Sequence, residues 1–542
     1  MSLFDRILKA RCISSELIKE FLSPEYSNSY DPFLLPDMKK AVERLVLANK
    51  QQEHITIYGD YDIDGLTATA LLLDAFDSFG FKKVDTYMPN RFVEGYGLTI
   101  EAVEKIADKG AKLIITVDCG SLSEKEIIRA NELGVDVIVT DHHNVANIQP
   151  PALAVINPKR TDHSYPFIDL AGVGVAFKLI QALQVYLNGL PNGQEKWLLD
   201  LVALGTVCDI VPLVDENRTN VYWGLKVLSK TRRPGLKALM SVAKVDPQKI
   251  NSRSLGFSLG PRMNAAGRLE TAQYSLNMLI SKNSVSALEA AQYLDVLNVS
   301  RRVEQDKIFK QAIVQAEKCY DDLVLVVSDA SWNHGVVGIV ASKLLEKYKK
   351  PTFVLQEMGD KSKGSARSYG DFSAADAIEA SKDLVIKGGG HKFAAGITLL
   401  TENIDAFRVR VNEFYRSQGL INQKSLLLPK ADVSATLLEI TEESITLINQ
   451  LEPFGQDNPQ PIIKSDDLIV VNIRKMGVDN KHIKLELQDK NGVRMNFLAF
   501  NAPTYFFVEI GAIIDVWYCP DVNIWQGMKS VEGRLLHLEI KE

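Results

Sequence analysis

Hydrophobic and polar positions divide the 542-residue chain into stretches of different period. Residues 1–50 read as helical, because Leu3, Ile7, Leu17, Phe21 and then Met38, Ala41, Val42 and Leu45 recur at near-helical spacing. From His54 onward, short β-rich runs (HITIYGD, VDTYMPN, AKLIITVD, VDVIVTD) alternate with helical stretches such as LTIEAVEKIADKG and SEKEIIRANELG. Strands and helices in that alternation predict a parallel, doubly wound sheet. Residues 172–214 read as helical and end in LLDLVALGTVCDIVPL. The segment Asn283–Tyr320 predicts one long connector helix. Its apolar side is read as Leu288, Ala291, Leu294, Val296 and Val303, with Arg301, Arg302, Lys307 and Lys310 outside. A second, smaller α/β unit follows, with DDLVLVVSDA and PTFVLQ as strands around the helix WNHGVVGIVASKLLEKY. After Gln450 the helix signal fades, and the runs DLIVVNIRKM, HIKLELQDK, RMNFLAFN, AIIDVWYCP and LLHLEIK predict a small β-barrel of the OB type.

The candidate chemistry sits at strand ends. HITIYGDYDIDG closes on Asp60, Asp62 and Asp64, and Gly65 opens the next helix. Alternate residues of an extended chain point the same way, so this spacing can aim several carboxylates at one place. Two later strands end in Asp118 and in Asp141-His142-His143. Open α/β sheets bind ligands at the carboxyl ends of their strands. One acidic strand end is ordinarily a turn former or helix cap. Three in sequence, one with paired histidines, point to clustered metal ligands. Asp209 stands inside an apolar run, where a charge needs a partner or a metal; the competing reading is a turn cap before Pro212. Carboxylates brought together repel, and a divalent cation is the usual relief. Oxygen donors with imidazole suit Mn²⁺ or Mg²⁺.

Composition narrows the partners. Hydrophobic residues at 46% and charged residues at 24% are ordinary for a globular protein, and the length implies roughly three or four domains. No apolar run approaches the ~18 residues of a membrane span. MSLFDRILKARC lacks a signal-peptide core, and five scattered cysteines offer neither a disulfide framework nor a zinc site. A cytoplasmic protein is expected. The net charge is −6, but residues 221–320 hold 16 Lys/Arg against 7 Asp/Glu, a net of +9. A basic middle beside an acidic metal site suits a phosphate-bearing polymer, although a solvated helical surface would read alike. Within it, GPRMNAAGR (Gly260–Arg268) frames small residues with two arginines fit to grip phosphate. GSARS (Gly364–Ser368) and GGGHKFAAG (Gly388–Gly396) suit close approach of a phosphate to the backbone. The tail is acidic, with 12 Lys/Arg against 17 Asp/Glu in 421–542. Its aromatics Phe497, Phe500, Phe506, Trp517, Tyr518 and Trp525 could stack on bases, but most are expected in the barrel core.

In order along the chain stand GDYDIDG, NRFVEGYGL, VDCG, TDHH, LGTVCDIVPL, GPRMNAAGR, NHGVVGIVASKL, GSARS, GGGHKFAAG and EPFGQDNPQP. Through these motifs the chain resembles the RecJ family, single-strand-specific 5′→3′ exonucleases of the DHH phosphoesterase superfamily. The resemblance implies a DHH catalytic domain (1–282), a connector helix (283–320), a DHHA1 domain (321–420) and an OB-like domain (421–542). It implies metal ligands at Asp62, Asp64, Asp118, His142 and Asp209, with Asp60 supporting or ligating. Asp141 and His143 complete the DHH triplet, His143 meeting the scissile phosphate or a second metal. Arg91 and Tyr96 would contact the strand near its 5′ end, Tyr96 by stacking, while Arg262, Asn264 and Arg268 grip its backbone. Ser365, Arg367, Ser368, Gly389, Gly390 and His391 would form the pocket for the terminal phosphate.

The implied cofactor is a pair of Mn²⁺ or Mg²⁺ ions. The implied substrate is single-stranded DNA, degraded to mononucleotides in DNA repair and recombination. The implied partners are a helicase and a single-strand-binding protein, the implied state a monomer away from membranes. Two other readings compete. A phosphodiesterase for short oligonucleotides or cyclic dinucleotides would generally lack the connector helix and OB-like domain. A non-catalytic DNA-binding replication scaffold would have lost metal ligands, whereas every carboxylate of the expected site is present.

Overall fold

The computed structural model describes residues 1–420, 426–477 and 480–541. Its chain packs as two units, Ser29–Val211 with Asp215–Leu427, and Met1–Asn28 with Pro212–Val214 and Leu428–Glu542.

The larger unit is built on a five-stranded sheet of β1 (Ile55–Gly59), β2 (Val84–Tyr87), β3 (Leu113–Val117), β4 (Asp136–Thr140) and β5 (Ala154–Ile156). The order is β2-β1-β3-β4-β5, and every pairing is parallel. ITIYG in β1 and LIITV in β3 are buried at every position, as unbroken apolar runs are when helices cover both faces of a sheet. The chain leaves β1 for β2 on one side and returns to β3 on the other, so a topological switch point lies between β1 and β3. Helix Ile63–Phe79 is apolar nearly all round and packs against Gly172–Leu183 and Leu199–Cys208. Gly205 sets the spacing there. A Cβ at that position would stand 2.4 Å from Thr67 Oγ1 and 2.7 Å from Val173 Cγ1.

The connector is a single 35-residue helix, Ser284–Lys318, started by Asn283, whose side chain accepts the N–H groups of Val285 and Ser286. At 1.5 Å per residue it runs about 52 Å. Its buried stripe is Ala287, Ala291, Leu294, Leu297, Asn298, Arg301, Gln305, Ile308, Ala312 and Ala316. This corrects the expected faces: Arg301 is inside, while Leu288, Val296 and Val303 are 41%, 59% and 66% exposed. The stripe follows the helical period through polar residues, which an apolar-only reading skips.

The second sheet contains β6 (Leu325–Asp329), β7 (Thr352–Met358), β8 (Lys361–Arg367), β9 (Val385–Gly390) and β10 (Ala394–Leu400), in the order β6-β7-β8-β10-β9. Only β6 and β7 run parallel. Helix His334–Tyr348 packs on β7, β8 and the connector, closing a core around Trp332, Val336, Val340 and Val354.

In the smaller unit, β12 (Ile463–Met476), β13 (His482–Gln488), β14 (Arg494–Ala499), β15 (Ile513–Trp525) and β16 (Met528–Ile540) form a closed barrel, because β12 also pairs with β15. The short β11 (Val433–Ser434) extends its edge alongside β12. The barrel core contains Leu485, Phe497, Val516 and Tyr518 and also Leu3, Phe4, Ile7 and Leu8 of the first helix. Residues 1–28 therefore pack with the barrel and not with the sheet domain in which the sequence reading placed them. The reason is amphipathic: helix Leu3–Ala10 has an apolar face with no partner of its own, and Arg11 bonds Asp432 at 2.8 Å and Asn458 at 3.0 Å. Of the barrel aromatics, Phe497, Phe506 and Tyr518 are core, Phe500 is exposed, and Trp517 lies 4.8 Å beneath the Lys464 ammonium. The side chain of Trp525 lies outside the described residues.

Gly205→Ala overpacks the helix contact and is expected to cost about 1–3 kcal/mol. Urea denaturation followed by tryptophan fluorescence reads this as a lower midpoint, and an unchanged midpoint would show that the helices separate freely.

Candidate active site

Asp60, Asp62 and Asp64 follow β1, and each is used differently. Asp62 caps helix Ile63–Phe79, its Oδ1 accepting the Asp64 N–H at 3.0 Å and the Gly65 N–H at 3.3 Å. Gly65 is required at this fold-back, since a Cβ there would lie 2.6 Å from the backbone nitrogen and oxygen of Asp60. Asp64 reaches the start of helix Gly172–Leu183 and accepts the N–H groups of Gly172 at 2.6 Å and Val173 at 2.9 Å. A helix N-terminus is where a buried carboxylate is best tolerated. Asp118, immediately after β3, holds φ +61°, a left-handed conformation that aspartate adopts more readily than most residues. Its carbonyl accepts the Tyr96 hydroxyl at 3.2 Å.

After β4, Asp141 is a positioning group. One oxygen accepts the Ser121 N–H at 2.9 Å. The other accepts the N–H groups of His142 at 2.7 Å and His143 at 3.1 Å and bonds His143 Nδ1 at 2.9 Å. Burial opposes its charge, but these bonds and the two imidazoles hold Asp141 well below the usual carboxylate range. Buried Asn157 at the end of β5 adds bonds to Ser121 Oγ at 2.8 Å and the His143 carbonyl at 2.9 Å.

Four segments then converge. His142 Nε2 lies 3.1 Å from Asp118, 3.4 Å from Asp209 and 3.8 Å from Asp64. Three overlapping groups hold donor atoms within 4.8 Å of one another: Asp60-Asp62-Asp118, Asp64-His142-Asp209 and Asp118-His142-His143. Two carboxylates 4 Å apart repel by about 4 kcal/mol at an effective dielectric near 20. Burial first, and then neighbouring carboxylates, hold Asp60, Asp118 and Asp209 well above the usual range and push Asp64 up to about 7. Burial and the adjacent His143 bring His142 down to about 3, so its Nε2 presents a lone pair while the Leu170 backbone takes a bond from the ring. Asp60 Oδ1, Asp118 Oδ1 and His142 Nε2 are buried with no hydrogen-bond partner among the described residues. Orphaned acceptors of this type fit Mn²⁺ or Mg²⁺.

Facing the carboxylates is a wall of cations. The Arg91 guanidinium lies 4.5 Å over the Tyr61 ring, and its charge is felt at Asp60. Arg268 donates to the Gly335 carbonyl at 3.1 Å. Burial, then Arg91, Arg301 and Arg367, bring Arg268 down to about 9, with Asp62 pulling the other way. Burial and Arg91 also lower Arg367. The sheet register sets Ser365 beside Gly396 and Gly396 beside Gly389, and sets Arg367 beside Ala394. GSARS and GGGH therefore share one sheet, with Gly389, Gly390 and His391 exposed at its edge.

Some expected contacts are already engaged. Arg262 donates to Asp295 at 2.8 Å and to the Ser258 carbonyl at 2.7 Å. Ser368 is buried, with its hydroxyl on the Lys392 carbonyl and its N–H on that of Phe393. Asn264 is half-buried on the Arg262 helix. Tyr96 is half exposed, with its ring edge-on to His143 at 5.5 Å. Sequence reasoning missed Lys159, which acts on His142 and Asp209, as well as Asn157, Gly172 and Arg301. Only Arg301 had a signal, the stripe spacing of its helix.

A parallel sheet whose switch point gathers carboxylates and a DHH triplet opposite clustered arginines defines a metal-dependent phosphoesterase of the DHH class. Family models agree: the DHH family N-terminal domain matches residues 54–206, the DHHA1 domain 321–417 and the RecJ OB domain 431–537. The chain is 36% identical to the single-stranded-DNA-specific exonuclease RecJ of Escherichia coli, over 92% of this chain and 89% of that protein. It is 40% identical to RecJ of Bacillus subtilis over 98% of its length, spanning 66% of that longer protein. The crystal structure of Thermus thermophilus RecJ with Mn²⁺ superposes with TM-score 0.82 at 27% identity, covering 99% of this chain and 78% of that one. A second crystal structure, of exonuclease RecJ bound to manganese, is 31% identical with TM-score 0.62, covering 75% and 98%. The chain belongs to the RecJ family.

Asp64 titrates near neutrality, so a metal ion entering its site displaces a proton. Mn²⁺ affinity is expected to rise as pH increases from about 6 to about 8, with protons released below pH ~7. Calorimetry in two buffers of different ionisation enthalpy reads both, and a flat affinity with no release would contradict the site.

Proposed function

We infer that the chain is a metal-dependent exonuclease that degrades single-stranded DNA 5′→3′ to mononucleotides in DNA repair and recombination. The observation that carries this is the cluster of Arg91, Arg268 and Arg367, in which Arg91 acts on Asp60, Arg268 feels Asp62, and Arg367 feels Arg91. A terminal phosphate held by that cluster brings the first diester linkage to the carboxylates, which is what cutting from an end requires. The connector helix and closed barrel favour this reading over a phosphodiesterase for short oligonucleotides. The complete ligand set disfavours a non-catalytic scaffold.

Asp62, Asp64, Asp118, His142 and Asp209, with Asp60, would hold the ions. Bound Mn²⁺ or Mg²⁺ supplies charge neutralisation at the diester and an acidified water. Asp141 fixes the ring of His143, which is one-third exposed, toward the site. Tyr96 stands beside that ring, ready to stack the terminal base, and Ser365 and Arg367 take the terminal phosphate. A helicase that opens duplex and a protein that covers single strands are the partners such an activity draws on. The chain works as a cytoplasmic monomer; among the described residues no helix is long and apolar enough to cross a membrane.

Digestion of a long single strand labelled at either end, with Mn²⁺, Mg²⁺ or chelator, tests the reading. Metal-dependent release of the 5′ label as mononucleotide is expected first, and stalling on long strands or release from the 3′ end would contradict it. Asp118→Ala is expected to lower cleavage by more than about 100-fold while strand binding persists.

A further inference from the structure

His334 opens the 15-residue helix His334–Tyr348, inside a motif that the site above leaves without a role. Three strand-contacting segments meet at this first turn. The His334 ring packs edge-on against Phe92, next to Arg91, with centroids 4.9 Å apart. A Cβ on Gly335 would stand 2.2 Å from the Arg268 carbonyl oxygen, so that backbone presses directly on the turn. A Cβ on Gly338, one turn on, would stand 3.4 Å from Ser365 Oγ and from Arg367 Nη2.

The N–H groups of the turn are already used. That of His334 bonds Gln356 Oε1 at 3.0 Å and that of Gly335 bonds Asn333 Oδ1 at 2.8 Å. What remains is the ring. Gln356 Oε1 also lies 2.9 Å from His334 Nδ1. Because that oxygen already accepts a backbone N–H, it is the carbonyl end of the amide, and Nδ1 must carry the proton. Nε2 is then the free position, and it is buried with no partner among the described residues. β7 and β8 pair Gln356 with Lys363, two residues before Ser365. Burial, Lys363 and Arg91 keep His334 below the ordinary histidine value, against the Gln356 bond, so the ring is neutral until an anion arrives.

We propose that His334 Nε2 is a specificity contact that shares one proton with the 5′-terminal phosphate monoester of the strand. A monoester can carry a proton near neutral pH, with its second ionisation near pH ~6. An internal diester cannot. Either a P–OH donates to neutral Nε2, or the imidazolium donates to P–O⁻; the same single proton lies between them, and no covalent bond changes. Arginines alone read negative charge and would hold any phosphate along the strand. The ring adds a test for a terminus.

This inference rests on the exonuclease reading, and the experiment separates the two. Single strands ending in 5′-phosphate, 5′-methyl phosphate or 5′-hydroxyl are digested by wild type, His334→Ala and Gln356→Leu. The methyl ester keeps a negative charge but has no exchangeable proton. Wild type is expected to favour phosphate over methyl phosphate in kcat/KM, and His334→Ala to lower that ratio about tenfold, the size of a hydrogen bond to a charged group. Gln356→Leu, which leaves the ring but frees Nδ1, is expected to lower it less, and it carries the comparison if His334→Ala fails to fold. An unchanged ratio in the folded variants overturns the proposal while leaving the exonuclease reading intact. Wild type that digests all three strands alike also overturns the proposal alone, whereas wild type that releases no mononucleotide from the 5′ end of any of them overturns both.

Discussion

Six aspartates crowded around two adjacent imidazoles, mostly out of contact with water, are the constraint on which the rest of the chain depends. Unrelieved, such a cluster opposes folding, because each close pair of carboxylates repels by several kcal/mol at low effective dielectric. The chain manages this by division of labour. The N-terminus of helix Gly172–Leu183 stabilises Asp64, a helix cap occupies Asp62, and Asp141 is held by the N–H groups of Ser121, His142 and His143 and by the His143 ring. The unmet demand left at Asp60, Asp118 and His142 is what a divalent cation would satisfy.

The same constraint explains the small residues. Gly65, Gly172 and Gly205 stand where any side chain would strike an aspartate or the backbone behind it. They let strand ends and two helices approach within ligand distance of one another. On the opposite wall, Gly335 brings a helix hard against the Arg268 backbone, and Gly338 on the same helix faces Ser365 and Arg367 at contact distance. Glycines thus set two close approaches, one that concentrates negative charge and one that concentrates positive charge. A phosphodiester is the ligand that needs both.

The sheet, the connector and the barrel were legible because each has its own hydrophobic period. Asp118, His142 and Asp209 were legible as charges at strand ends or inside apolar runs. The use of each carboxylate was not. That Asp141 spends both oxygens on neighbouring N–H groups and His143 depends on a tight turn, which spacing does not encode. Arg262 has the right residue type for phosphate but is tied to Asp295, 33 residues further along the chain. Arg301 failed the apolar-stripe reading because it is a polar residue on a buried face. The first helix was misplaced because periodicity reveals an apolar face without naming its partner. His334 was hidden for a related reason: its motif was visible, but only the packing of three distant segments gives the ring a purpose.

The most direct test of the metal centre is anomalous diffraction at the manganese edge from crystals grown with Mn²⁺. Two peaks are expected, one among Asp60, Asp62 and Asp118 and one among Asp64, His142 and Asp209. A single peak, or peaks away from these side chains, would contradict a paired-ion site at the switch point of the sheet.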